Sequence, residues 1–127
     1  MGKKILIVDD DSEQIAFAST VLEENGYTSI SATNGIEGMG KVESEKPDLI
    51  LLDILMPEKS GITMFRELRA NEETENIPVI IVTGISKGEQ FEERMMRQDF
   101  NIPAPQGYIQ KPMKPWILLK LVNGLLS

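Results

Sequence analysis

Acidic residues follow directly after two short apolar runs in this chain. Asp9–Asp11 come after residues 5–8, and Asp53 comes after residues 49–52. Crowded carboxylates repel one another unless a cation or a proton lies between them. Oxygen ligands select Mg²⁺, Ca²⁺ or Mn²⁺, and a hydrated Mg²⁺ held by a few carboxylates fits this set best. The acids predict a divalent-cation site, provided that the two runs lie side by side.

A hydroxyl group and an ammonium group follow two further apolar runs. Thr83 comes after residues 78–82, and Lys111 comes shortly after residues 107–109. A carboxylate can act as a nucleophile toward a phosphoryl group, and the transfer needs mainly in-line placement and nearby cations. Each residue alone also fits a plain role, as a helix-end acid, a turn aspartate, a strand threonine or a surface lysine. Their joint occurrence after four apolar runs is what indicates phosphoryl chemistry.

The composition excludes several other chemistries. The 127 residues include no Cys and no His, which rules out thiol nucleophiles, disulfides, thiolate zinc sites and Ser-His-Asp triads. The formal net charge of −7 disfavours binding to nucleic acid or to an anionic membrane. The apolar run near the N-terminus is too short for a signal peptide. We therefore expect a cytoplasmic protein with no direct nucleic-acid or membrane partner.

Short strands that alternate with helices must position these residues. Continuous apolar runs indicate strands buried on both faces of a parallel sheet, and the more polar run at 27–32 suits a sheet edge. The predicted strands are 5–8, 27–32, 49–52, 78–82 and 107–109. The predicted helices are 13–25 after an N-cap at Ser12, 35–45 after an N-cap at Asn34, 61–71 after an N-cap at Ser60, 88–97, and 115–126 anchored by Trp116. This order predicts an α/β fold, a doubly wound (βα)5 five-stranded parallel sheet, as a single domain over residues 1–127.

Four segments together resemble the response-regulator receiver domains of two-component signalling, over essentially the whole chain. The matching segments are Ile5–Asp11, Pro47–Gly61, Pro78–Thr83 and Tyr108–Pro112. The most specific part is the Asp-x-x-Met-Pro-x-x-x-Gly run that begins at Asp53. The resemblance implies a CheY-like, flavodoxin-like fold. It also implies a role in signal transduction, with no enzymatic activity beyond the domain's own phosphorylation and dephosphorylation.

The resemblance further implies an acceptor and a metal site. Asp53 is expected to be the phosphoacceptor, supplied by a partner histidine kinase or histidine phosphotransfer protein. Asp9 and Asp10 are expected to bind Mg²⁺ (or Mn²⁺) together with Asp53 and the backbone carbonyl of Leu55.

The resemblance also implies a switch. Thr83 and Lys111 are expected to contact the phosphoryl group, while Thr83 and Tyr108 change position as switch residues. The face made by helix 4, strand 5 and helix 5 of the predicted order then changes its affinity for a downstream protein effector. A cis peptide bond is expected at Lys111–Pro112.

Some features depart from the family pattern. Gly84 stands where Ala is common, while Leu55 and Ile85 occupy positions that often carry polar groups. Apolar side chains there cannot orient an attacking water, so slow loss of the phosphoryl group is expected. The segment 99–107 is longer than the usual short turn, and it is either a tolerated insertion or a reshaped partner surface.

Three other function classes fit parts of the sequence. A haloacid dehalogenase-like enzyme would match Asp9-x-Asp11, but that family needs acidic metal ligands after its lysine, and no acid follows Lys111. A flavodoxin-like FMN carrier would need a Ser/Thr/Gly-rich phosphate loop where this chain has three acids. A pure interaction module on the same fold would not need the full set of acids, hydroxyl and amine.

Overall fold

A computed structural model describes residues 2–54, 61–83 and 104–126 of the chain. The strands are β1 (Lys4–Val8), β2 (Thr28–Ala32), β3 (Leu49–Asp53), β4 (Val79–Thr83) and β5 (Gly107–Gln110). The helices are α1 (Ser12–Glu24), α2 (Gly35–Glu45), α3 (Gly61–Ala70) and the C-terminal helix α4 (Pro115–Leu126). The helix predicted at 88–97 and the N-cap predicted at Ser60 lie outside the described residues.

The five strands form one parallel sheet in the order β2-β1-β3-β4-β5. This order confirms the predicted five-stranded parallel sheet and places the more polar β2 at an edge. The order reverses direction at β1, because the chain passes from β1 outward to β2 and then back across to β3. Ligands of such sheets bind at the carboxyl ends of the strands beside this switch point.

Alternate side chains of the strands enter two cores, one on each face of the sheet. The core covered by α2 and α3 contains Leu6, Val8, Ile50, Leu52, Val79 and Ile81, with Val42, Met64, Phe65 and Leu68 from the helices. The core covered by α1 and α4 contains Ile5, Ile7, Leu49, Leu51, Ile80, Val82 and Ile109, with Ala18, Leu22, Leu118 and Val122. Burial on both faces explains why the strands read as continuous apolar runs rather than as alternating ones.

The helix ends correct one prediction and confirm another. The N-cap of α1 is Asp11 rather than Ser12, because the Asp11 carboxylate accepts a hydrogen bond from the Glu13 N–H. The predicted N-cap of α2 is confirmed, since the Asn34 side chain accepts from the Glu37 N–H at 2.8 Å. Both aspartate and asparagine are favoured at this position because their side chains satisfy a free backbone donor.

Gly38 in α2 and Trp116 in α4 have roles that differ from those their residue types suggest. Gly38 lowers the intrinsic helix propensity of α2, but a Cβ there would lie 3.0 Å from the Met64 side chain and 3.3 Å from Val8, so the glycine permits close packing. Trp116 does not anchor α4, since it is 64% exposed in the first turn of that helix. Within the described ranges no helix has the length and apolar character needed to cross a bilayer.

Candidate functional site

The register of the sheet brings the acids of two strands together. Val8 lies opposite Leu52 in the pairing of β1 with β3. Asp9 and Asp53 therefore lie at the same edge of the sheet, the one formed by the carboxyl ends of the strands. Both side chains are almost fully buried, with each residue only 3% exposed, whereas Asp10 is exposed. Carboxylate oxygens of Asp9, Asp10 and Asp53 all lie within 4.8 Å of one another. The structure therefore joins residues that are far apart in the sequence into one acidic cluster.

Lys111 brings a positive charge into this cluster. Its Nζ atom lies 3.5 Å from Asp53 Oδ2 and 3.6 Å from Asp9 Oδ2. Its backbone N–H donates to the Thr83 carbonyl at 2.8 Å, which continues the pairing of β4 with β5. The Lys111–Pro112 peptide bond is cis, as the resemblance implied. The ammonium group thus faces the carboxylates, although the Lys111 side chain remains 25% exposed.

Thr83 and Tyr108 lie on neighbouring strands at the same side of the sheet. Ile81 pairs with Tyr108, and Thr83 follows Ile81 by two residues, so all three side chains point to one face. Thr83 is buried at the end of β4, next in the chain to Val82, which pairs with Asp53. Tyr108 is partly buried and packs against the core beneath α2 and α3. This arrangement places a hydroxyl group at the same edge as the acidic cluster.

Asp11 contributes to the site in a way that the sequence analysis did not predict. Its backbone N–H donates to Asp9 Oδ1 at 2.9 Å, while its own side chain caps α1. The Asp9 carboxylate therefore directs Oδ1 to the backbone and Oδ2 to Lys111. The signal that could have revealed this role is the position of Asp11, one residue before the start of the helix.

Gly61 also shapes the site, and the sequence alone gave no physical reason for a glycine at this position. A Cβ at this position would lie 2.2 Å from the Asp53 carbonyl oxygen and 2.6 Å from the Ile54 Cα. The Gly61 N–H also donates to the Ile54 carbonyl at 3.4 Å. Only glycine allows α3 to begin this close to the end of β3. The last residue of the Asp-x-x-Met-Pro-x-x-x-Gly run thus lies directly against the backbone of the first.

The side chains of the cluster fit a hard divalent cation. Asp9, Asp10 and Asp53 supply oxygen donors only, and two of the three are withdrawn from solvent. Three carboxylates with one ammonium leave an excess of negative charge, which a cation such as Mg²⁺ would offset. The other predicted positions, Leu55, Gly84 and Ile85, lie outside the described residues.

Comparisons with known proteins agree with one another. A family model described as the response regulator receiver domain matches residues 5–123. The chain is 35% identical over 124 residues to the protein PilH of Pseudomonas aeruginosa, covering 98% of each chain. It is 35% identical over 128 residues to the polar-differentiation response regulator DivK of Brucella anthropi, covering 100% of this chain and 98% of DivK. A CheY-like receiver domain protein from Methanospirillum hungatei is similar in structure, with a TM-score of 0.83 and 28% identity, over 98% of this chain and 93% of that one.

Proposed function

This chain belongs to the response regulator receiver domain family, and we propose that residues 1–127 form a single receiver domain that accepts a phosphoryl group on Asp53. The observation that supports this most strongly is the meeting of three carboxylates and the Lys111 ammonium at one edge of the sheet. Receiver domains bind Mg²⁺ through an acidic cluster of this kind. The role of each named residue is part of the proposal.

The proposed step is transfer from a phosphohistidine to aspartate. An oxygen of the Asp53 carboxylate attacks the phosphorus, an O–P bond forms, and the N–P bond breaks with its electron pair passing to the imidazole nitrogen. Asp9, Asp10, Asp53 and the Leu55 carbonyl would hold Mg²⁺, which when bound offsets the negative charge of the phosphoryl oxygens. Lys111 would place its ammonium beside a second phosphoryl oxygen. The Thr83 hydroxyl would donate a hydrogen bond to a third.

The proposed partners are proteins. The phosphoryl donor is a histidine kinase or a histidine phosphotransfer protein, met in the cytoplasm, and the domain catalyses only its own phosphorylation and dephosphorylation. The new phosphoryl group adds charge and acceptor oxygens beside Thr83. Movement of Thr83 toward it would free space for Tyr108 on the same face of the sheet. The surface made by β5, α4 and the predicted helix at 88–97 would then change its affinity for a downstream effector.

Intact-mass measurement tests the chemistry directly. The chain is incubated with a small-molecule phosphodonor and Mg²⁺, and the expected result is an increase equal to one phosphoryl group. Asp53→Asn is expected to show no increase, because its amide is not a nucleophile. Asp48→Asn is the matched control, since Asp48 is an exposed aspartate at the opposite end of β3, where its Oδ2 accepts from the Lys4 N–H. Phosphorylation of Asp53→Asn to the wild-type extent would overturn the proposal.

Stoichiometry distinguishes a receiver domain from a hydrolase that forms the same aspartyl-phosphate. A receiver domain should accumulate one phosphoryl group per chain and release phosphate only as that group is lost. Rapid release of many equivalents of phosphate per chain, with no accumulation of the phosphorylated chain, would instead favour an enzyme of the haloacid dehalogenase type.

A further inference from the structure

The three consecutive acids after β1 make different contacts. Asp9 is buried, and its carboxylate accepts from the Asp11 N–H through Oδ1 and faces Lys111 through Oδ2. Asp10 is exposed and shares the acidic cluster with Asp9 and Asp53. The Asp11 carboxylate is engaged elsewhere, because its Oδ1 accepts from the Glu13 N–H at 2.9 Å.

Asp11 is also held firmly by its helix. It is the N-cap of α1, with an extended backbone at φ −97° and ψ 110°, and its carbonyl accepts from the Ile15 N–H at 3.1 Å. These bonds at its side chain and its carbonyl restrict the rotation of the Asp11 backbone. Its N–H, which lies on the other side of the same Cα, therefore points in a defined direction, toward Asp9 Oδ1.

The orientation of the Asp9 carboxylate requires such a restraint. The terminal torsion of an aspartate side chain is broad, so its rotamer preference alone does not set the orientation of the carboxylate plane. A hydrogen bond from a fixed backbone N–H does set this orientation, because one oxygen (Oδ1) is then engaged and the other (Oδ2) is left facing Lys111, which also contacts Asp53.

We propose that Asp11 is a positioning residue for the cation site: by capping α1 it aims its own N–H at Asp9 and so presents Asp9 Oδ2 to a bound Mg²⁺. This inference rests on the proposed function, since it assumes that the cluster binds Mg²⁺. It assigns Asp11 no ligand role, because its carboxylate caps the helix and is not one of the three that meet in the cluster.

Neutral substitutions separate this role from the charge of Asp11. Asp11→Asn and Asp11→Ser keep a capping acceptor, whereas Asp11→Ala removes it, and all three variants carry the same charge. Loss of a residue that orients a metal ligand typically weakens metal binding by about 10–100-fold. We expect the Mg²⁺ affinity of Asp11→Ala to be weaker than that of Asp11→Asn by roughly tenfold, and Asp11→Ser to match Asp11→Asn. Asp11→Gly also lacks the acceptor but is well tolerated at an N-cap, so it gives the same comparison if Asp11→Ala folds poorly.

Mg²⁺ titration by calorimetry, paired with urea unfolding in chelator, tests the proposal without a phosphodonor. Asn34→Ala is the matched control, because it removes the N-cap of α2 and should lower stability without weakening Mg²⁺ binding. Weaker binding in Asp11→Ala or Asp11→Gly than in Asp11→Asn supports the positioning role. Equal affinity in the capped and uncapped variants would overturn it while leaving the proposed function intact. Absence of Mg²⁺ binding by the wild-type chain would overturn both.

Discussion

The ammonium nitrogen of Lys111 lies 3.5 Å from Asp53 Oδ2, although 57 residues stand between them in the chain. The same nitrogen is 3.6 Å from Asp9 Oδ2, so two nearly buried carboxylates share its charge. In the absence of a divalent cation, Lys111 offsets part of the repulsion between them. Removing it should therefore affect the stability of the fold as well as the chemistry of the site.

We expect Lys111→Met to destabilise the chain in chelator by about 1–3 kcal/mol, because it leaves buried carboxylates without this countercharge. Saturating Mg²⁺ should reduce the difference in unfolding free energy between Lys111→Met and wild type, since a cation bound to the folded state replaces the lost charge. Urea unfolding with chelator and with Mg²⁺ measures both values. Lys120→Met, at an exposed position of α4, should change neither. An equal loss under both conditions would contradict this account of Lys111.

The close approach of Gly61 to the end of β3 leads to a second prediction. In Gly61→Ala the new methyl group would overlap the Asp53 carbonyl, so the backbone of the proposed acceptor must shift. We expect a loss of about 1–3 kcal/mol in unfolding free energy and slower phosphorylation.

Gly40 offers the matched control for that substitution. It is an exposed glycine within α2, and a Cβ there would meet nothing within 4 Å. Gly40→Ala should therefore raise stability by up to about 1 kcal/mol and leave phosphorylation unchanged. Urea unfolding and intact-mass time courses on both variants make the comparison. Phosphorylation of Gly61→Ala at the wild-type rate would count against the steric argument.

A partly buried hydrogen-bond network joins the end of α3 to the start of β5, with Arg69 buried and Gln106 exposed. Arg69 Nη1 donates to the Ile77 carbonyl and Nη2 to Gln106 Oε1, each at 2.9 Å, and the guanidinium lies 4.7 Å from the centroid of the Phe65 ring. Gln106 Oε1 also accepts from the Val79 N–H at 2.8 Å. Gln106 thus connects the end of the long 99–107 segment to β4 and to α3.

We expect Gln106→Ala to lower the unfolding free energy by about 1–3 kcal/mol, because buried donors of Arg69 and Val79 lose their acceptor. Gln106→Glu retains an acceptor oxygen beside the guanidinium and should lower the unfolding free energy by less. Urea unfolding of the two variants decides the matter, and an equally stable Gln106→Ala would refute the argument. Any test of residues 99–107 as a partner surface should therefore leave Gln106 in place.

Glu37 predicts a specific pH dependence of stability. The Thr33 backbone N–H and hydroxyl both donate to its Oε1, at 2.7 and 3.0 Å. These two bonds lower the pKa of Glu37 below 4.5, and the bond from the Thr33 backbone has the larger effect. A carboxyl group whose pKa is lower in the folded state stabilises the fold above its unfolded pKa, and that contribution is lost as the pH falls through the folded pKa.

Glu37→Gln isolates this contribution, because glutamine can accept the same hydrogen bonds but does not titrate. The stability advantage of wild type over Glu37→Gln should be largest at neutral pH and should shrink once the pH drops below 4.5. Urea unfolding over that pH range gives a curve of unfolding free energy against pH for each protein. Curves that stay parallel throughout would show that the Thr33 bonds do not favour the ionised form.

Slow loss of the phosphoryl group remains a prediction from the sequence, since Leu55 and Ile85 lie outside the described residues. We expect Leu55→Gln to shorten the lifetime of the phosphorylated chain, because an amide can orient an attacking water and an isobutyl group cannot. Intact-mass time courses after removal of the phosphodonor measure the lifetime. Leu55→Met, which stays apolar, is the control, and equal lifetimes for all three proteins would contradict the prediction.

Local patterns in the sequence were enough to predict the alternation of strands and helices and the residue types that end the strands. Runs such as residues 49–52 can be read locally, because a strand buried on both faces must be continuously apolar. The motif that begins at Asp53 could also be recognised from the sequence, because its residues are close together in the chain. The predicted strand bounds agree with the structure to within one residue for the same reason.

The different contacts of the three acids after β1, and the need for a glycine at position 61, follow from how the helices and strands pack. The contact of Lys111 with Asp53 depends on strand order and register, which involve pairings between distant parts of the chain. The direction of the Asp11 N–H toward Asp9 depends on how α1 leaves the sheet, and the need for Gly61 depends on how closely α3 approaches β3. Distances and directions of this kind arise when elements pack together, and no local pattern of residue types encodes them.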